Sequence, residues 1–166
     1  MPSNPSKRRE YTAALEATQM KYTGRVDLNR FRKLADELAS RDPGLTVRLR
    51  EVRDAARELR ELAFEAIEAY RERAAEIGAP YLGNLEVSAV EPDEKHFDSV
   101  QFRVARGRTE LLCIAIAREP AKVRLVGPFK RGKQEGPCAD APLRGPEVAK
   151  ALEDRIEQLV REASAV

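Results

Sequence analysis

Residues 42–78 read DPGLTVRLREVRDAARELRELAFEAIEAYRERAAEIG, and the fold follows from how this stretch is read. Its ends are punctuated. Asp42 can accept from the free N–H groups of a first helical turn, and Pro43 suits the first helical position. Gly78 can take the left-handed conformation that closes a helix, and Pro80 follows shortly after. Between these signals Leu45, Leu49, Val52, Ala56, Leu59, Ala63, Ala66 and Tyr70 recur in alternating steps of four and three, widened by Ala55, Leu62 and Ile67. The opposite face carries Arg and Glu almost throughout. The stretch predicts one amphipathic helix roughly 50 Å long. Two uses fit it. The plainer is a helix laid on the core with its outer face in water. The sharper is a coiled-coil seam between subunits, with Leu49, Val52 and Leu59 as the interface and the alanines allowing close approach.

Working outward on the N-terminal side, Arg41 to Gly44 reads as a turn, and Asp27 can cap a helix over Leu28–Ala39 with Leu28, Phe31, Leu34, Ala35 and Leu38 on one side. Tyr11, Leu15, Thr18 and Tyr22 predict an earlier helix from Ser6, and residues 1–5, with two prolines, read as a flexible tail. The expected organisation is therefore a tail (1–5), a helical segment (6–41) and a single α+β domain (42–166).

Beyond Pro80 the periodicity changes from helical to alternating. Leu85–Glu91, Ser99–Arg106, Thr109–Ala117 and Lys122–Val126 predict four strands joined by turns at Pro92–Lys95, Arg106–Arg108 and Arg118–Ala121. Thr109–Ala117 is apolar on both faces, which places it centrally, covered on both sides or at an interface. Residues 127–146 are rich in Gly and Pro and read as loop, with a short edge strand at most around Phe129–Lys133. Pro146 opens a last amphipathic helix through Val148, Leu152, Ile156, Leu159 and Ala163. The fold class expected is α+β: N-terminal helices including the long one, a four-stranded antiparallel β-meander, and a C-terminal helix packed on the sheet.

Composition bounds the function classes. The chain has 166 residues, long enough for one buried core, and 35% charged residues with a net charge of only +2. Arg outnumbers Lys by 22 to 8, so most cations are planar, permanently charged donors. No apolar run approaches the roughly 20 residues of a membrane span, no apolar stretch follows Lys7–Arg9 as in a signal peptide, and two cysteines make no disulfide framework. A cytoplasmic, reduced protein is the expectation.

Catalytic signals are weak. Gly127–Lys133 fits G-x-x-x-x-G-K, but Gln134 stands where a phosphate-binding loop needs Ser or Thr, Pro128 removes a cradling N–H, and Glu135-Gly136-Pro137 does not begin a helix. Cys138 with His96, the single histidine, is the only thiol–base combination, and Cys113 reads as a core residue. The acids Glu91, Asp93, Glu94 and Asp98 around His96 have no recognisable metal-ligand spacing. No catalytic residue, cofactor or metal site is expected, and the balance leans away from an enzyme.

Charge distribution is more informative. Residues 99–134 hold nine cations against two acids, a surplus of +7 in a chain of +2. Arg103, Arg106, Arg108, Arg124, Lys130, Arg131 and Lys133 are the candidate anion or nucleic-acid contacts, through phosphates and without sequence reading. Phe129 is the one aromatic placed to stack on a base. The leading expectation is a non-catalytic binding or assembly module that self-associates, as a homo-oligomer, or meets a protein partner through the long helix and the sheet. The alternative is a nucleic-acid-binding protein using the basic face.

Overall fold

The computed structural model describes residues 25–93, 96–132 and 136–164. The chain divides into two units, Met1–Pro43 and Gly44–Val166. In the first, helix α1 spans Leu28–Ser40, and Asp27 caps it by accepting from the Arg30 N–H at 3.1 Å. The helix expected over residues 6–22 and the tail before it lie outside the described residues.

The second unit opens with the long helix, α2, over Leu45–Glu76. It starts later than the caps suggested. Gly44 is the N-cap and contributes no side-chain bond, while Asp42 and Pro43 lie in the preceding turn. Glycine is poorly stabilised inside a helix, so the first turn forms after it. The other end behaves as expected. Gly78 takes φ +78°, its N–H donates to Ala75 O at 3.1 Å, and the Ala79 N–H donates to Ala74 O at 2.8 Å. That pair of bonds is the Schellman closure of a helix C-terminus.

The buried stripe of α2 is also slightly different. Val52, Ala55, Ala56, Leu59, Ala63, Ile67 and Ala74 are buried, and Ala66 is exposed. From Leu45 through Ala63, Ile67 and Tyr70 to Ala74 the contacts follow the 3.6-residue period of a straight helix, where a seam drawn through Ala66 would keep to 3.5. Such a stripe suits a straight helix lying on a sheet.

The remaining elements are β1 (Glu86–Val87), β2 (Glu91–Pro92), β3 (Ser99–Arg106), β4 (Thr109–Ile116), β5 (Lys122–Lys130), β6 (Cys138–Pro142) and α3 (Pro146–Ser164). A 3-10 turn at Pro80–Gly83 links α2 to β1. All pairings are antiparallel, in the order β1-β3-β4-β5-β6 with β2 also on β3, so β3 to β6 form a four-stranded meander with β4 central. The fold is α+β, with α2 and α3 packed on one face of the sheet.

Register explains the layering. Val100, Phe102 and Val104 of β3 stand opposite Ala115, Cys113 and Leu111 of β4, and Cys113 and Ala115 stand opposite Leu125 and Val123 of β5. These eight residues, all at most 3% exposed, meet Val52, Ala56, Leu59, Ala63 and Ile67 of α2 and Val148, Leu152, Ile156 and Leu159 of α3 in one core. Burial of each large side chain contributes about 1.5–3 kcal/mol.

Two strand boundaries correct the sequence reading. The strand expected over Leu85–Glu91 is two short pieces, β1 and β2. At Ser88 the carbonyl accepts from Arg60 Nε at 2.8 Å, and the Ser88 hydroxyl accepts the Arg103 N–H at 2.8 Å in its place, so the ladder is interrupted there. On the other side, β5 runs on through Gly127-Pro128-Phe129-Lys130 by a β-bulge. Two steps in β4, Glu110 to Leu112, face three in β5, Val126 to Phe129. Only glycine fits at 127: φ is +110°, and a Cβ there would lie 2.7 Å from Glu110 O. The meander's last strand is then β6, within the stretch expected to be loop.

Arginine holds the connections together. Arg48 Nε donates to Ala117 O at 2.7 Å, Arg106 Nη1 to Leu82 O at 2.7 Å, and Arg155 Nη1 to Gly127 O at 2.6 Å and Pro137 O at 3.0 Å. Arg71 donates from Nε to Gly83 O at 2.8 Å and from Nη2 to Leu85 O. These carbonyls lie in turns and at strand ends; Gly83 O and Pro137 O also accept backbone N–H groups there, and a forked guanidinium reaches two carbonyls at once. Much of the arginine excess thus serves the fold.

Candidate interaction surface

The sheet has a second face, and no helix of the Gly44–Val166 unit packs on it. By register it presents Gln101 and Arg103 from β3, Leu112, Ile114 and Ile116 from β4, Lys122, Arg124 and Val126 from β5, and Cys138 and Asp140 from β6. Ile114, Ile116 and Val126 are half-buried, and Leu112 is 8% exposed. This is why β4 is apolar on both sides: one side is core, and the other is a strip of aliphatic side chains on an open face. Of the two expectations for this strand, cover on both sides or a place at an interface, the helices of this unit supply cover on one side only.

Arg103 and Arg124 share this open face, diagonally across Leu112 and Ile114, but neither is a free cation. Arg103 Nη2 lies 3.5 Å from Glu91 Oε1. Arg124 Nε and Lys122 Nζ both reach Asp140, at 2.8 and 2.9 Å. The hydrogen bonds from Arg124 and then Lys122 hold the Asp140 carboxyl well below the usual carboxylate range, and the same bond raises the Arg124 guanidinium. Arg131 Nε donates to Glu110 Oε1 at 2.7 Å, a carboxylate that is 5% exposed, and Arg118 pairs with Asp98 at 3.2 Å. Three of these acids, Glu91, Asp98 and Asp140, come from outside residues 99–134, so folding brings the +7 surplus down to +4.

Arg106, Arg108, Lys130 and Arg131 gather at the β3–β4 hairpin end. Arg106 faces Thr109, Thr109 faces Lys130, and the Arg131 N–H donates to Arg108 O at 2.6 Å. Arg106 is engaged with Leu82. Among the described residues Arg108 and Lys130 have no side-chain partner, and Lys133 lies outside them. Phe129 is 4% exposed, packed within the sheet edge, and offers no ring to a base. Among the described residues of the Gly44–Val166 unit the widely exposed aromatics are Tyr81 and Phe97, and Phe97 sits in the acidic turn before β3.

The helix residues singled out from sequence are engaged internally. Val52 is 0% and Leu59 6% exposed within this chain's own core, and Leu49 packs against its rim.

The other candidates separate. Gly127 and Pro128 form the bulge of β5, Phe129 and Lys130 pair with β4, and the Gly127 N–H already donates to Pro137 O at 2.8 Å, so this backbone does not cradle a phosphate. Cys138 begins β6 opposite Val126, whereas His96 lies near Ser99 at the other end of the strands, about 13 Å away along the strand direction alone. His96 Nδ1 lies 3.2 Å from Asp93 Oδ2, and the Ser99 hydroxyl donates to the same oxygen at 3.1 Å. The three residue types are those of a hydrolytic triad, but the carboxylate bridges Ser and His, and the imidazole makes no bond to the hydroxyl it would have to deprotonate. These side chains line a concavity of about 240 Å³, smaller than ordinary ligand pockets. Among the described residues no group of three His, Cys, Asp or Glu is placed to hold a metal ion, and no helix is long and apolar enough to cross a membrane. Burial pushes the Cys113 thiol up to about 12.

Sequence reasoning missed Asp140, the acid that pairs two cations, and Ile114 with Val126 as neighbours on an open face. The doubly apolar β4 signalled the second; nothing local in Cys138–Pro142 signalled the first. Comparison of the chain with protein-family models, with curated proteins and with solved structures finds no match.

Proposed function

We propose that this chain is a non-catalytic assembly module that binds a second copy of itself or a protein partner over the open face of its sheet. The observation that supports this reading is the aliphatic strip of half-buried Ile114, Ile116 and Val126 beside Leu112, on the face that the helices do not cover and rimmed by ion pairs that are already balanced. An apolar centre with a polar rim is the anatomy of a protein interface. The long helix supports the sheet from behind, since its stripe is internal. The test is light scattering on the full chain, with Ile116→Lys and Val126→Lys together as the variant. A mass above one chain that falls to 18.6 kDa in the variant supports the reading. A wild-type monomer at every concentration, with no protein retained from its native source, would sink it.

A second reading, contact with nucleic acid, draws on Arg108 and Lys130 at the hairpin end. Absorbance at 260 and 280 nm recorded in the same experiment tests it. Nucleic acid that co-elutes, is released by salt, and is lost on Arg108→Glu with Lys130→Glu would favour this reading.

A further inference from the structure

Among the described residues helix α1 exposes its entire apolar face. Leu28, Phe31, Leu34 and Leu38 are 62%, 58%, 42% and 47% exposed, Val26 just before them is 55% exposed, and no residue of the helix is buried. A helix of 13 residues lies near the length below which a lone helix in water is marginal, so this face calls for a partner. Its charges specify which one. Arg30, Arg32 and Lys33 stand in the N-terminal half, and Asp36 and Glu37 in the C-terminal half, with Glu37 held only by an exposed 3.7 Å contact to Arg41.

We infer that α1 pairs antiparallel with α1 of a second copy of this chain. This deepens the assembly reading and rests on it. Antiparallel pairing about a two-fold axis packs Leu34 and Ala35 near the centre with Phe31 against Leu38. It sets Arg30 opposite Glu37 and Arg32 opposite Asp36, each pair twice. Parallel pairing would set cations against cations and acids against acids. The contact is short, so the pair is weak and depends on concentration.

Sedimentation equilibrium of the full chain, from micromolar toward millimolar, tests this with four samples beside the wild type: Arg30→Glu with Arg32→Glu, Asp36→Arg with Glu37→Arg, an equimolar mixture of these two, and the fourfold reversal. Each two-residue variant should self-associate at least tenfold more weakly. The mixture and the fourfold reversal should both recover association, and circular dichroism should be unchanged. Association that ignores the reversals overturns the α1 pairing while leaving an interface on the sheet. A wild type that stays monomeric throughout overturns the pairing and self-assembly together.

Discussion

Leu111 and Ile114 lie three residues apart on β4, and the reading of the open face rests on their pointing opposite ways. Leu111 is 0% exposed, faces Val104, and belongs to the core under α2 and α3; Ile114 faces Arg124 on the bare side and is half-buried. Leu111→Ala removes three carbons from a site that the surrounding helices and sheet cannot fully collapse onto, at a cost of about 3 kcal/mol, within the 2–5 typical of such truncations. In a chain of this length each kcal/mol lowers Tm by about 2–4 °C, so the melting point should fall by about 6–12 °C. Ile114→Lys replaces a half-buried side chain with one whose stem lies along the same surface while its amine stays in water. The expected cost is about 1 kcal/mol and a shift of 4 °C or less. Both should be measured by thermal and urea unfolding in dilute, monomeric solution. An Ile114→Lys variant as unstable there as Leu111→Ala would mean that the second face is covered within the chain, and the open-face argument would fail. If it holds, the cost of Ile114→Lys should grow with protein concentration, because association stabilises only the folded state.

Two further outcomes follow from the packing. Arg155→Met keeps the aliphatic stem but leaves the Gly127 carbonyl without its guanidinium; it should cost about 1–3 kcal/mol in urea unfolding, against less than about 0.5 for Arg161→Met on the exposed side of the same helix. Equal small effects would show that water replaces the arginine. In thiol labelling Cys138 should react at once and Cys113 only on unfolding. Because burial raises the Cys113 thiol to about 12, the protonated form is favoured in the folded state. Its contribution to stability is therefore intact below the ordinary thiol range and lost as pH climbs from there toward 12, a loss that Cys113→Ala should remove from the alkaline unfolding curve.

The elements that were legible in the sequence are those built from local periodicity. α1 with its Asp27 cap, the body of α2 with its Gly78 closure, β3, β4 and α3 all carry repeating patterns that report which face is apolar. β5 and β6 were legible in part. Gly127-Pro128 reads as a chain break, yet the sheet absorbs it as a bulge, and Cys138–Pro142 has neither β-branched nor large side chains and becomes a strand because β5 offers it an edge. The shift from Asp42 to Gly44 as helix cap, and from Ala66 to Ile67 in the stripe, are small consequences of geometry that spacing by itself does not resolve.

Charge is where the two levels part. Composition and chain order alone determined that arginine dominates, that residues 99–134 carry a surplus of cations, and that β4 is apolar on both faces. Only the tertiary structure decided what those features meet. Asp140 reaches Lys122 and Arg124 from a strand 16 to 18 residues away, Glu91 reaches Arg103 across a strand pair, and α2 and α3 choose one side of β4 and leave the other bare. Pairing partners depend on register and on which layer closes over which face, and those are set by the packing of distant segments, which no local window of sequence contains.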